Sequence, residues 1–215
     1  MTHAGPQATA PSRISRTGVA LIVLAGLAVA GAVLGALWAW IAPPVRGVVA
    51  LTKSGNRAQA YLGNEADHFF VAAFMMLGLL AVLAVVVPVL AWQWRAHRGP
   101  VMVAVLSVGA VISAAVATTV GSLLVRGRYD VVNLDTAPVT VDHRLYYFTE
   151  APSAFFGHTP VQMATTLLVP AATAALVYAL LAVSTTRDDL GGYPPMDAYG
   201  RPIPGFVPPT GPAPH

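Results

Sequence analysis

The sequence has no cysteine and carries little charge. Asp, Glu, Lys and Arg together make up 10% of its 215 residues, against 56% hydrophobic residues. Without a thiol the chain can form neither disulfides nor thiolate metal sites, and it has no thiol nucleophile and no site for palmitoylation. A soluble globular domain carries about 25% charged residues. This composition therefore indicates a chain whose surface is not built for water.

The charged residues are clustered, and they leave four long windows without Asp, Glu, Lys, Arg or His. These windows are 17–45, 69–94, 99–125 and 159–186. Each is longer than the roughly 20 apolar residues that cross a hydrocarbon core about 30 Å thick. Only helices or closed barrels satisfy their backbone hydrogen bonds in lipid, and the windows lack the alternation of barrel strands. The sequence therefore predicts an all-α transmembrane fold, a four-helix membrane bundle, because the windows are too long for buried helices of a soluble core.

The polar segments between the windows divide the chain into a membrane domain and two tails. Residues 191–215 contain eight prolines and five glycines, and such a composition buries too little apolar surface to offset its ordering entropy. Docking of this tail as a polyproline II peptide is the alternative. We predict a cytoplasmic tail at 1–16, spans at about 17–42, 69–94, 101–125 and 159–186, outer loops at 45–68 and 126–158, and a disordered cytoplasmic tail at 187–215.

Orientation is predicted from where the basic residues lie, since lysine and arginine divide equally between the two sides. Arg95 and Arg98 lie in the shortest connection, and Arg13 and Arg16 directly precede the first window. Such short, membrane-proximal segments carry the positive-inside bias, so we expect both termini in the cytoplasm and the chain in the plasma membrane. Two arginines directly after the third window favour the opposite orientation.

The first window is predicted to be an uncleaved anchor. A signal peptide has an apolar region of about 7–15 residues, whereas this window continues past Trp40. Cleavage after the small residues at 28–30 is the alternative, and it would leave an isolated apolar remnant. All four tryptophans lie at the ends of the first two windows, where amphipathic rings settle at the level of the headgroups; they are Trp38, Trp40, Trp92 and Trp94.

The two longer loops have the composition of β-structure. Residues 47–61, GVVALTKSGNRAQAY, predict two strands around a turn in which Gly55 and Asn56 tolerate positive φ. Residues 137–152, APVTVDHRLYYFTEAP, predict another strand pair. Because an isolated hairpin is marginal in water, we expect both loops to pack as one small β-containing extracytoplasmic cap. It is either a simple lid or a ligand-binding domain.

The stretch YLGNEADHFFVAAF, residues 61–74, places two acids and a histidine directly before the second window. Asn64 is predicted to be the helix N-cap, with Asp67 reaching back in a capping-box arrangement. Glu65 and Asp67 would also lie in the first turn, where the helix dipole favours negative charge. The start of a helix at a membrane surface explains the whole stretch.

The alternative for the same stretch is a divalent-metal site. Imidazole and carboxylate groups are competent zinc ligands, and two further histidines lie in the other outer loop. The candidate ligands are Asp67, His68, His143 and His158, with Glu65 beside them. No metal-binding spacing of the H-E-x-x-H kind accompanies them.

Small residues in the first and third windows predict close helix packing. Gly31 and Gly35 have the small-xxx-small spacing that lets two backbones approach, and Gly109, Ser113 and Gly121 lie on one i, i+4 stripe. These faces pack either within the bundle or against a partner membrane protein. The bilayer itself is the other expected partner.

Other functional classes find little support in the sequence. No serine lies in a Gly-x-Ser-x-Gly setting and no P-loop is present, so we expect neither an enzyme nor a bound cofactor. A net charge of +3 is too diffuse for nucleic-acid binding. Ion and proton pathways usually require ionisable residues inside the membrane, and the four windows contain no Asp, Glu, Lys, Arg or His. Pro88 and Pro170 do interrupt two of the windows.

Four strings carry a resemblance to a known family: APPVRGVVALTKSGNRAQAYLGNEADHFFVAAF, WQWRAHRGP, FFGHTPVQ and TRDDLGGY. The chain resembles, over about 17–192, a family of uncharacterised actinobacterial four-span membrane proteins with a domain of unknown function. The resemblance implies an inner-membrane protein of the cell envelope and brings no catalytic residues with it. We therefore expect a non-enzymatic accessory or interaction subunit. A ligand- or metal-binding membrane protein is the first alternative and a transporter or its subunit the second.

Overall fold

A computed structural model describes residues 15–94, 97–129, 137–140 and 142–185 of the chain. Within these ranges the chain forms four long helices and three short strands. The predicted tails at 1–16 and 187–215 lie almost wholly outside the described residues. In chain order the elements are α1 Arg16–Ile41, β1 Val45–Leu51, β2 Arg57–Tyr61, α2 Asp67–Trp92, α3 Pro100–Arg128, β3 Leu145–Glu150 and α4 Pro160–Val183.

All four helices are long and apolar enough to span a membrane. Their most apolar windows have mean hydropathies between 2.1 and 2.9. The ends of the helices differ from the predicted ends by one to three residues. α1 and α3 end at the side of the molecule that carries the strands, where α2 and α4 begin. We call this side the sheet end and the opposite side, with the α2–α3 connection, the turn end.

The starts of α1 and α4 are fixed by side-chain caps. The Ser15 hydroxyl accepts a hydrogen bond from the Gly18 amide at 3.0 Å. At α4, Thr159 and Gln162 form a capping box, in which the Thr159 amide donates to the Gln162 side chain at 3.2 Å and the Thr159 hydroxyl accepts from the Gln162 amide. Pro160 occupies the first turn, where its missing N–H costs no helix bond.

The predicted cap of α2 is wrong. The N-cap residue is Ala66, and it forms no side-chain cap hydrogen bond. Asn64 lies in the preceding turn, where its backbone carbonyl accepts from the Asp67 amide at 3.0 Å. The turn therefore satisfies through the backbone the donor that an Asn64 side chain would have satisfied, and Asp67 lies in the first turn of the helix without serving as a capping-box partner.

α1 and α3 run parallel and touch backbone to backbone. A Cβ added to Gly31 would overlap the Ser113 carbonyl oxygen, and one added to Gly35 would overlap that of Ala117. The glycine Cα–H groups thus point at carbonyl oxygens of α3, a geometry that contributes weak Cα–H···O bonds. The remaining predicted packing residues extend the same contact, because Gly109 lies against Leu27 and Gly121 against Trp38.

Trp38 belongs to the core, contrary to the prediction that all four tryptophans lie at an interface. Its side chain is 0% exposed, whereas that of Trp40 is 74% exposed. The Trp38 indole N–H donates to the Ala72 carbonyl of α2 at 2.7 Å. Its ring lies on Gly121 of α3, where an added Cβ would stand 2.8 Å from the ring edge. Trp38 therefore joins three helices near the sheet end.

α2 and α4 pack through alanine and two buried prolines. Ala84, Ala171 and Ala174 share a buried cluster, and Pro88 and Pro170 are both buried within their helices. Proline inside a helix lacks the N–H that would bond the carbonyl four residues earlier. These two helices therefore carry an interruption that α1 and α3 do not have.

An aromatic cluster closes the turn end. The Trp92 and Tyr178 rings meet edge to face at 5.1 Å, and the Arg98 guanidinium lies 4.4 Å from the Trp92 ring centre. The Arg98 Nε–H donates to the Trp92 carbonyl at 2.9 Å, and the Gly99 amide donates to the Tyr178 hydroxyl at 3.1 Å. Gly99 has φ of +148°, a conformation that side chains other than hydrogen rarely allow.

The strands form one antiparallel sheet in the order β2-β1-β3. The hairpin at Thr52–Asn56 confirms the predicted turn, since Gly55 adopts φ of +83°. The sheet also confirms that both loops pack together. The second predicted strand pair is wrong: among the described residues of that loop only β3 is a strand, and it pairs with β1.

The residues expected to be the missing strand have another role. Pro138 has no N–H for a sheet ladder, and its neighbours Ala137 and Val139 pack against Val49 and Phe148. The Phe148 ring lies directly over Gly47 of β1, in space that a side chain there would fill. This inward face of the sheet is thus built from short and aromatic residues that fit one another.

Candidate functional site

The predicted site residues at the start of α2 join the strands to the helices. The Glu65 carboxylate accepts a hydrogen bond from the Arg46 amide of β1 at 3.0 Å. His68 Nδ1 lies 3.1 Å from the same carboxylate and 3.0 Å from the Pro44 carbonyl. We call Pro44, Arg46, Glu65 and His68 the sheet-side junction. It connects the segment that leaves α1 to the first turn of α2.

The junction determines which nitrogen of His68 carries a proton. Both neighbours of Nδ1, the Glu65 carboxylate and the Pro44 carbonyl, are hydrogen-bond acceptors. Nδ1 must therefore be the donor, whether the ring is neutral or charged. In the neutral ring the free lone pair is then on Nε2. The His68 side chain is 36% exposed, so the ring lies at the surface and not in a closed pocket.

The junction does not gather the predicted metal ligands. Asp67 is exposed in the first turn of α2, and His143 and His158 are exposed in the other loop and just before α4. The His143 amide donates to the Thr140 hydroxyl at 3.1 Å, which orders its own turn. Within the described ranges, no three His, Asp or Glu residues come together in a way that would hold a metal ion. The arrangement at Glu65 and His68 is a structural link between α1, β1 and α2.

The other surface of the sheet is apolar and faces outward. Pairing of β1 with both neighbours puts its even-numbered residues on one face, together with their partners. On this face Tyr147 is 64% exposed and Leu145 56% exposed, and Arg46 is the only charged residue. The outward sheet face, as we call it, consists of Arg46, Val48, Ala50, Ala58, Ala60, Leu145, Tyr147 and Thr149.

A tyrosine–carboxylate pair spans the inward face. The Tyr61 hydroxyl of β2 donates to the Glu150 carboxylate of β3 at 3.3 Å, across Gly47 of the strand between them. Burial of the ring raises the Tyr61 pKa, and the negative charge of Glu150 and its hydrogen bond raise the pKa further. The pair ties the two edge strands to each other.

Sequence reasoning missed two features that a signal could have revealed. The capping box at α4 has the pattern Thr-x-x-Gln in TPVQ, with proline at the first helical position. Trp38 lies one i, i+3 step beyond Gly35 on the face that packs α3, so its burial follows the predicted glycine stripe. The Tyr61–Glu150 pair has no such signal, because it depends on a strand that pairs across about 90 residues of chain.

Comparison with known proteins places the chain in a family. The model of the family described as "Protein of unknown function (DUF2567)" matches residues 27–192. "Uncharacterized protein Rv1591" of Mycobacterium tuberculosis is 57% identical over 173 residues, which cover 80% of this chain and 90% of that protein. "Uncharacterized protein ML1222" of Mycobacterium leprae is 56% identical over 170 residues, which cover 79% of this chain and 86% of that protein.

No solved structure matches the chain. The family match covers the sheet, α2, α3, α4 and most of α1, so the sheet-side junction and the outward sheet face both lie within it. The relatives are mycobacterial, in agreement with the resemblance to an actinobacterial family. The chain belongs to the DUF2567 family of proteins of unknown function.

Proposed function

We propose that this protein is a multi-pass protein of the plasma membrane that serves as a non-enzymatic interaction subunit in the cell envelope. Both termini lie in the cytoplasm, and the sheet lies on the extracytoplasmic side. The observation that carries the interaction role is the outward sheet face, with Tyr147 64% and Leu145 56% exposed.

Membrane insertion is supported by which side chains face outward on the helices. Large apolar residues at mid-helix are highly exposed, including Val29 at 65%, Val82 at 63% and Leu176 at 60%. Many of the inner contacts are made instead by glycine and alanine. Contiguous apolar surface of this extent is rare on soluble monomers, and lipid tails would cover it without cost.

The outward sheet face lies beyond the helices that lipid would cover. Aromatic residues are enriched in the centre of protein–protein interfaces, and charged residues are depleted there. Tyr147 and Leu145 match this composition, with Arg46 as a single charge on the face. A protein partner with an apolar, weakly acidic surface fits this composition.

Membrane insertion is tested by cysteine labelling, which the cysteine-free chain makes clean. Single cysteines at Val29, Val82 and Ser54 are treated in intact cells with a maleimide that cannot cross the membrane. We expect labelling at Ser54, in the hairpin turn, and none at the two mid-helix positions. Labelling at Val29 or Val82 would contradict insertion, and protection of Ser54 until the cells are opened would reverse the orientation.

The interaction role is tested by purification in mild detergent followed by mass spectrometry. We expect one partner in fixed stoichiometry with the wild-type chain, and its loss from Leu145→Asp and Tyr147→Asp. Gln59→Asp is the matched control, because it puts the same charge at an exposed position on the other face of the sheet. Recovery of the protein alone, or equal recovery with all three variants, would exclude this face as the docking surface.

A further inference from the structure

A small, partly open cavity lies at mid-depth between all four helices. Its volume is about 10 Å³, and its walls include Leu27 of α1, Ala84 and Pro88 of α2, Ser113 of α3 and Pro170 of α4. Apart from Ser113, the side chains around it are apolar. This cavity is distinct from the sheet-side junction and from the outward sheet face, and it lies within the segment matched by the family.

Ser113 is the one polar residue that lines this cavity, and its hydroxyl has no hydrogen-bond partner among the described residues. Ser113 is 1% exposed. Four helical threonines instead bond back to a carbonyl of their own helix, as Thr118 does to Ala114 at 2.8 Å and Thr173 to Val169 at 2.9 Å. A buried hydroxyl without a partner costs free energy, so the position of Ser113 calls for a ligand.

The proline in α2 leaves a second polar group without its helical donor, in a residue that lines the cavity. Pro88 has no N–H, so the carbonyl of Ala84, four residues earlier, lacks its helical donor. Both residues line the cavity. The site therefore combines a hydroxyl that can donate or accept with a carbonyl that can only accept.

We propose that the mid-bundle cavity holds one ordered water molecule, bound between the Ser113 hydroxyl and the Ala84 carbonyl. A water site needs a volume of roughly 10–15 Å³ by this measure and two to four polar partners. The cavity matches the lower limit of both. One water can donate to the Ala84 carbonyl and accept from Ser113, and it thereby satisfies a group on α2 and a group on α3.

Unfolding equilibria distinguish the bound water from an unpartnered hydroxyl by the sign of the effect. With the water in place, Ser113→Ala removes one of its partners, and we expect the unfolding equilibrium constant in mixed micelles to rise about fivefold. Without the water, the same substitution removes an unsatisfied group and lowers the constant. Thr166→Val is the matched control, because Thr166 has a buried hydroxyl without a partner but does not line the cavity.

We expect Thr166→Val to leave the constant unchanged or to lower it. An unchanged or lowered constant for Ser113→Ala would overturn the proposal. An equal rise in both variants would also overturn it, since the effect would then not depend on the cavity.

A direct readout is the transfer of magnetisation from water to methyl groups of the full chain in nanodiscs. We expect transfer to Ala84 and Ala110, which line the cavity, and none to Ala114, which is 0% exposed and does not line it. Ser113→Ala should abolish the transfer. Absence of transfer in the wild type, or its persistence in Ser113→Ala, would show that no water is bound by Ser113.

Discussion

The α1–α3 pair and the α2–α4 pair each run parallel, yet they make their contacts with different residues. α1 meets α3 through Gly31 and Gly35, whose Cα atoms lie against carbonyl oxygens of the partner helix. α2 meets α4 through alanines and beside Pro88 and Pro170. The first contact leaves no room for one added methyl group, whereas the second contains two buried prolines.

This difference indicates a rigid half and an adaptable half of one bundle. Interlocking backbones cannot shift without losing the whole contact, so the α1–α3 pair acts as the frame. Proline interrupts the hydrogen-bond ladder of α2 and α4, and small changes of helix direction cost less there. Trp38 links the two halves, because it packs on Gly121 of α3 and donates to Ala72 of α2.

The largest effect is expected where the two halves are joined. Trp38→Ala removes a fully buried ring and its hydrogen bond to α2, and we expect a loss of about 3–5 kcal/mol in the free energy of unfolding. Trp40→Ala is the control, because Trp40 is 74% exposed, and it should change stability by less than about 0.5 kcal/mol. Equilibrium unfolding in detergent measures both, and comparable losses would show that Trp38 is not the link.

The comparison between the pairs is sharpened by adding one methyl group to each. Gly35→Ala puts a Cβ into the Ala117 carbonyl, and we expect a loss of about 1–3 kcal/mol from overpacking. Gly78→Ala on α2 meets nothing within 4 Å and should gain up to about 1 kcal/mol from helix propensity. Unfolding curves that shift in the same direction for both variants would contradict the division into a rigid and an adaptable half.

Within the α2–α4 pair, substitution of the residue predicted or observed to cap the helix should destabilise the start of α4 and not that of α2. Thr159→Ala removes the capping box of α4, with an expected loss of about 0.5–2 kcal/mol. Asn64→Ala should have little effect, because α2 begins at Asp67 without a side-chain cap. Hydrogen exchange of the first-turn amides measures each start separately, and equal acceleration at both would restore Asn64 as a capping residue.

The smallest effect concerns the sheet. The Tyr61 pKa is raised above 10.0 by burial and by Glu150, so the ionised phenol is disfavoured in the folded state. Tyr61 therefore contributes stability below its unfolded pKa, and this contribution is lost as the pH rises through the raised folded pKa. The difference in tyrosinate absorbance between wild type and Tyr61→Phe measures the pKa. Glu150→Gln should lower it, and an unchanged value would mean that burial alone is responsible.

Much of the architecture could be predicted from local patterns. The four helices follow from uninterrupted apolar length, and the hairpin follows from the turn residues Gly55 and Asn56 between two short segments predicted as strands. The α1–α3 contact was predicted only as a set of small-residue faces. Spacing indicated which residues would touch something, and the choice of each other as partners required the structure.

The remaining features depend on distant pairings that no local pattern encodes. Trp38 is buried because Gly121 leaves space for its ring, whereas Trp40, two residues later, is 74% exposed. The prediction of a cap at Asn64 was wrong because an adjacent turn satisfied the Asp67 amide first. The metal hypothesis for Asp67, His68, His143 and His158 required two loops to converge at one point, and the described parts of those loops meet through β-pairing instead.

The parallel pairing of α1 with α3 has a consequence for biosynthesis. The partner of Gly31 is Ser113, so about 80 residues must be synthesised before the two can meet, which takes on the order of 4–16 s at typical elongation rates. During this interval the glycine face of the nascent first helix is uncovered. A chaperone or insertase that shields it would protect the chain from pairing with the wrong neighbour, and a chain truncated before α3 would lack the partner of this face.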